Sequence, residues 1–319
     1  MNFKKTAAIA ATVGALTALA LPATAETNMY GSARLATFYN LADTPAGGKS
    51  AGFDEHLQGN STFGANFKKG EVDGKFEVGA GTGSVVLRLL YGTWNFGAGK
   101  LIIGQDYNSY YLGSAQVHTD DNAFKAYGAQ WDTRQPQIRV NLNNGVYFSV
   151  IQPTGNVSGT DLGVNAEASS NVKMYLPKLN VGYARKAGAV GYNVGVVGTT
   201  FKNVTADKQI TAILGYANGT AAFGATLLTA SISASQNAGN MSFLGRKVYD
   251  ATNKKDAVGF EGFLQISQKI SDIISGNVGF GYAGDKIDAP AKAGVAQNKF
   301  DNKMAILMPS RKLLTPLGA

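Results

Sequence analysis

Cysteine is absent from the 319-residue chain. No disulfide can therefore reinforce it in an oxidising compartment, and zinc sites built on thiolates are excluded. Histidine occurs only twice, as His56 and His118. A Ser-His-Asp type of catalysis would need one of them, yet neither stands beside a nucleophile elbow, so an enzyme is not expected. Beyond the amino-terminal stretch no run of about 18 apolar residues occurs, which rules out helical membrane spans. Proline is scarce at 8 residues, whereas glycine reaches 40 and aromatics 10%. What remains is a chain of strands and turns.

Residues 1–25 have the make-up of a cleaved secretory signal. Lys4 and Lys5 precede an apolar run from Ala7 to Leu21, then Pro22 and the small-residue site Ala23-Thr24-Ala25 before Glu26. The run is about 15 residues long where a spanning helix needs about 20. Residues 26–319 are then expected to form one large all-β unit. Two of the 29 Lys and Arg and none of the 21 Asp and Glu fall in the signal, so the mature charge is 27 − 21 = +6. The basic residues are scattered, as in Lys68-Lys69 and Lys254-Lys255, without a basic arm, and export argues against a nucleic-acid partner.

The decisive pattern has a period of two. Ile138, Val140 and Leu142 interleave with Gln137, Arg139 and Asn141. Phe76, Val78 and Ala80 interleave with Lys75, Glu77 and Gly79, and Phe63, Ala65 and Phe67 oppose Thr62, Gly64, Asn66 and Lys68. Near the carboxyl end Val258, Phe260, Leu264 and Ile266 oppose Gly259, Glu261, Gln265 and Ser267. Successive strand side chains point to opposite faces, so a strand between lipid and water alternates in this way. Turn signals at Lys69-Gly70, Asp73-Gly74, Gly97-Ala98-Gly99, Asn143-Asn144-Gly145 and Asn218-Gly219 predict antiparallel hairpins. Longer polar stretches, around 43–60, 107–122, 155–170, 236–256 and 284–301, predict loops at the opposite end. Some 14 or 15 candidate strands fit a barrel of about 16. Aromatics gather near strand ends (Tyr30, Tyr91, Trp94, Trp131, Tyr183, Tyr192), as an interfacial girdle requires. A soluble β-sandwich shares the periodicity but not that girdle.

Three motifs carry a resemblance: Asn28-Met29-Tyr30-Gly31-Ser32-Ala33-Arg34-Leu35, then Gly59-Asn60-Ser61-Thr62-Phe63-Gly64, then Tyr91-Gly92-Thr93-Trp94 running on to Gly104-Gln105. In order and spacing they resemble the opening strands of Gram-negative general porins over about residues 26–150. The resemblance implies a homotrimer of 16-stranded barrels in the outer membrane, passing ions and small hydrophilic solutes. It also implies a third long loop folded inward to narrow the pore, here from Asp106 to about Phe124. Acidic Asp106, Asp120 and Asp121 of that loop would face basic residues on the wall, with Arg34, Arg88, Arg139, Lys125 and Arg134 as candidates. A transverse field of that kind would sort solutes by charge, and the basic surplus suggests a mild anion leaning.

No cofactor or metal is expected. His118, Asp120 and Asp121 offer oxygen donors, but the spacing of a cation loop is missing. Gly79-Ala80-Gly81-Thr82-Gly83 imitates a phosphate loop, yet strand rather than helix follows it. The chain ends without a terminal aromatic, and Pro309 and Pro316 are expected to break pairing, so the last strand reads as atypical and cut short. The alternative reading is an exported surface-binding or adhesion protein whose long loops are the working parts, on a barrel or sandwich scaffold.

Overall fold

The computed structural model describes residues 25–43, 49–81, 84–113, 124–125, 127–152, 172–204, 207–250, 253–271, 274–287 and 299–311. Residues 1–24 of the expected signal, Pro316, His118, Asp120 and Asp121 lie outside these residues. The chain divides into two units, residues 1–106 with 116–121 and residues 107–115 with 122–319.

The first unit contains β1 (Glu26–Ser32), β2 (Leu35–Asp43), β3 (Lys49–Leu57), β4 (Thr62–Lys69), β5 (Val72–Gly81), β6 (Ser84–Asn95) and β7 (Gly99–Tyr107). Its sheet runs β1-β4-β5-β6-β7, all antiparallel, and β2 pairs with β3. The second unit contains β8 (Arg134–Leu142), β9 (Val146–Ile151), β10 (Val172–Met174), β11 (Lys178–Ala187), β12 (Val190–Asn203), β13 (Lys208–Phe223), β14 (Thr226–Gln236), β15 (Ala257–Lys269), β16 (Ile274–Ile287) and β17 (Lys299–Arg311). Its sheet runs β8-β9-β11-β12-β13-β14-β15-β16-β17, with β10 also on β12. The two paths hold 5 + 9 = 14 strands, in keeping with the number of candidate strands in the sequence.

Breaks within long strands account for the extra segments. Ser32 pairs with Thr62, but Leu35 pairs with Leu57, a shift of two residues absorbed at Ala33-Arg34 and Gln58–Ser61. There the Arg34 N–H donates to Ser61 Oγ at 2.9 Å and the Gln58 N–H to Arg34 O at 2.8 Å. The polar stretch 43–60 is thus largely strand, not loop. Two of the expected turns are also strand interior. Asp73-Gly74 lies in β5, where Asp73 accepts from Lys100 and Thr93, and Asn218-Gly219 lies in β13, where Asn218 bonds across the sheet face. Side chains with cross-strand partners outweigh the local turn preference. The other three expected turns, at Gly70, Gly97 and Gly145, do reverse the chain, as do Gly188 and Gly224, each at positive φ. Pro309 does not end pairing either: β17 runs through it to Arg311 opposite β16. Within its unit β17 has a neighbour on one side only, which is where a strand tolerates proline.

The alternation has the opposite sense from a water-soluble sheet. In β15, Val258, Phe260, Leu264 and Ile266 are 41–59% exposed, whereas Glu261 and Gln265 are 1% and 3% exposed. The same holds for Val181 against Asn180, Ile232 against Ser231 and Ser233, and Val278 against Asn277. Burying one such apolar side chain is worth about 1.5–3 kcal/mol, so rows of them facing outward require a solvent other than water. Ladder pairing meanwhile satisfies the backbone without help from that solvent.

Candidate functional site

After β7 strand structure ends at Tyr107, and it resumes with β8 at Arg134. The loop is therefore longer than the sequence suggests, since it continues nine residues past Phe124 to Thr133. Its described parts lie on the polar face of the second unit. Asn193 Nδ2 donates to Ser109 O and Asn218 Nδ2 to Tyr110 O, each at 2.6 Å, and Arg139 Nη1 donates to Tyr107 O at 3.0 Å. Further along, Phe124 stacks on Phe263 with ring centroids 4.9 Å apart. It lies over Gly281, where a Cβ would come within 2.5 Å of the ring. Gly128 has φ +118° and sits against Gly262 O, so residues without side chains on both sides allow the close approach.

The loop's base is closed by a buried ionic cluster. The Lys178 ammonium donates to the Asp132 carboxylate, to Gln135 Oε1 at 3.0 Å and to Met241 O at 3.3 Å. Asp132 also accepts from Asn108 Nδ2 at 2.8 Å and from the Tyr110 hydroxyl. Both charged side chains are essentially excluded from solvent. Burial, and then the neighbouring Asp132 carboxylate, hold the Tyr110 phenol well above its ordinary pKa.

In the second unit, the structure brings three of the sequence candidates to this loop base. Arg139 ties down the loop backbone and also meets Ser109 Oγ at 3.3 Å. Arg134 lies over Tyr107 at 5.0 Å and Trp131 at 5.6 Å, and Lys125 over Trp131 at 4.5 Å. Tyr107, Tyr111 and Trp131 pack on one another between these cations. In the first unit, a β-bulge in β6 places Glu77 opposite Leu89 and Val78 opposite Leu87. Arg88 is the extra residue, and the bulge turns it to the polar face. There its Nε donates to Glu77 Oε1 at 2.8 Å and its Nη1 to Gly59 O at 3.2 Å. Glu77 also accepts from Tyr30 at 2.8 Å. Asp106 is buried near the end of β7, and Arg34 sits at the strand break with its side chain half-buried.

Sequence reasoning missed Asp132, Lys178, Tyr110, Asn193 and Asn218. Their one signal is a polar residue at the inward phase of an alternating row, as in Lys178-Leu179-Asn180-Val181. A cavity of about 350 Å³ adjoins the loop, lined by Tyr111, Leu112, Lys186, Asn193, Asn218 and Thr220 among others. Among the described residues no group of three His, Cys, Asp or Glu side chains is placed to hold a metal ion.

Strands that turn hydrocarbon outward and keep amides and carboxylates inward, with a long loop laid across the polar face, define a transmembrane antiparallel β-barrel fold. The chain is similar in structure to the outer membrane channel DcaP of Acinetobacter baumannii, with a TM-score of 0.64 and 20% identity over 84% of this chain and 80% of that one. It is also similar to OmpT, an outer membrane protein of Vibrio cholerae, with a TM-score of 0.56 and 14% identity over 93% and 85% of the two chains. The trimer form of that protein aligns with a TM-score of 0.55 and 15% identity over 91% and 85%. No protein-family model and no curated protein matches the chain.

Proposed function

We propose that the chain is a porin: a water-filled channel in the outer membrane of a Gram-negative bacterium, through which ions and small hydrophilic solutes diffuse passively. The observation that carries this reading is the inverted alternation, apolar side chains exposed and polar ones covered, combined with a long loop docked on the polar face. Such a loop narrows a lumen, whereas an adhesin would present its long loops outward.

Residues 1–25 direct export and are then removed, and the working form is a homotrimer embedded in outer-membrane lipid, as the trimer form of OmpT suggests. The protein works without a cofactor and without chemistry. Constriction is assigned to Asp106, Asp120, Asp121, Arg34, Arg88, Arg139, Lys125 and Arg134, the last three by way of the loop base they surround. Charge facing water at a narrow point would then set ion preference.

The test is single-channel conductance of the refolded mature chain in a planar bilayer. Steps in groups of three are expected. Changing Asp120 and Asp121 to Asn should move selectivity toward anions. A correctly inserted barrel that passes no current would overturn the channel reading.

A further inference from the structure

The segment between β14 and β15 also lies on the polar face of the second unit, and nothing in the sequence singles it out as more than a loop. It begins with a short 3₁₀ turn, Ala238–Met241, whose residues are all buried. Asn237 fixes the start by donating to Thr211 O at 3.0 Å and accepting from the Ala257 N–H at 2.9 Å. Arg246 fixes the return. Its Nε and Nη2 donate to the two oxygens of Asp285 at 3.0 and 2.9 Å, Nη2 also reaches Ser235 Oγ at 2.9 Å, and Nη1 lies 3.2 Å from Glu261 Oε1. All three charged side chains are buried, and the two-pronged fit to Asp285 is the geometry a guanidinium favours.

The same segment is joined to the first loop. The Leu244 N–H donates to Trp131 O at 2.8 Å, and Lys178 bridges the two by bonding Asp132 in one and Met241 O in the other. Beneath them the inward row of β13 changes character. Ile210, Ala212 and Leu214 are buried apolar residues, whereas Asn218 further along is polar. Val197, Leu214 and Tyr216 of the sheet form one dry cluster with Tyr110 of the first loop and Met241 and Phe243 of the second. Apolar side chains on the face that should line water are stable only while covered, so this second loop is a permanent part of the interior.

We infer that the β14–β15 loop is a second constricting element, locked to the first as one block, and that Arg246 is the positioning residue that holds it. The inference rests on the channel reading. It goes further by assigning pore size to two loops rather than one.

The test compares the intact chain with an excision of residues 240–246. Gly239 N and Lys247 O are hydrogen-bonded at 3.0 Å, so the cut ends are already adjacent and can be closed by two glycines. Heat-dependent mobility on gels confirms that each variant has folded. A higher single-channel conductance and a shift of the size cut-off to larger neutral sugars are expected for the excision. Arg246→Gln should give a noisier open channel, with partial recovery in Arg246→Lys. If the intact chain conducts and the folded excision conducts identically with the same cut-off, the inference falls while the channel reading stands. If the intact chain is silent but the excision conducts, the loop is a plug and the inference holds in stronger form. If both are silent although inserted, both readings fall.

Discussion

Lys178 and Asp132, 46 residues apart in sequence, form an ion pair from which solvent is essentially excluded, and it joins a strand of the wall to the base of a loop. A pair so placed contributes little net stability compared with apolar residues of the same size, but it is costly to break on one side only.

Lys178→Met leaves the Asp132 carboxylate buried with only neutral donors, Asn108 and Tyr110. The expected loss is about 3–5 kcal/mol, read as a lower urea midpoint for the lipid-inserted protein. The double variant Lys178→Met with Asp132→Asn should recover most of it. An unchanged midpoint in the single variant would show that the pair does not anchor the loop.

Gly128→Ala places a Cβ about 2.2 Å from Gly262 O at a φ that side chains rarely adopt. A cost on the order of 1–3 kcal/mol is expected, concentrated in the far half of the first loop. Open-channel current should become noisier while the barrel still migrates as folded. Gly113→Ala, in open space, should change neither measurement.

Phe260→Arg tests which solvent the apolar face meets. The side chain is 52% exposed, so in a water-soluble sheet the change would be nearly neutral. Facing the bilayer core, it should cost about 2–4 kcal/mol in folding titrations from urea into vesicles. Equal stability of the two proteins would falsify the lipid-facing assignment.

Alkaline pH should loosen the first loop late. The Tyr110 hydroxyl donates to Asp132, and its folded pKa is raised above the unfolded value of about 10. A raised pKa means the stabilisation is complete below about pH 10 and is lost as pH climbs through the folded value. Tyrosinate absorbance should therefore show Tyr110 among the buried phenols that ionise well after the exposed ones. Tyr110→Phe should reduce the amplitude of that late phase by one phenol.

The strand alternation was legible because each strand's two faces meet different media. The contrast between Phe260 and Glu261, or Ile138 and Arg139, is then visible within a few residues. Glycine and asparagine misled where tertiary partners decided the outcome. Asp73-Gly74 and Asn218-Gly219 read as turns, yet cross-strand contacts keep both in strands. The docked loops were only half visible. Porin-like motifs pointed to the first, but its anchors are single polar residues whose partners lie far away in sequence. The second depends on Val197, Ile210 and Leu214 facing inward, which a two-state inside/outside pattern reads as noise.

The buried ion pairs on the polar faces largely cancel. Arg88 meets Glu77, Lys178 meets Asp132, and Arg246 is shared by Glu261 and Asp285, so three cations stand against four carboxylates. The chain's surplus of 29 − 21 = +8 is thus not carried by these groups. Basic residues such as Lys68, Lys186, Lys254 and Lys255 are instead exposed at strand ends and turns. Charge there is screened within about 8 Å at physiological salt. Recruitment at the mouths and discrimination at the narrows would then be governed by separate sets of residues. Diluting the salt should speed the arrival of anions far more than it changes which ion passes.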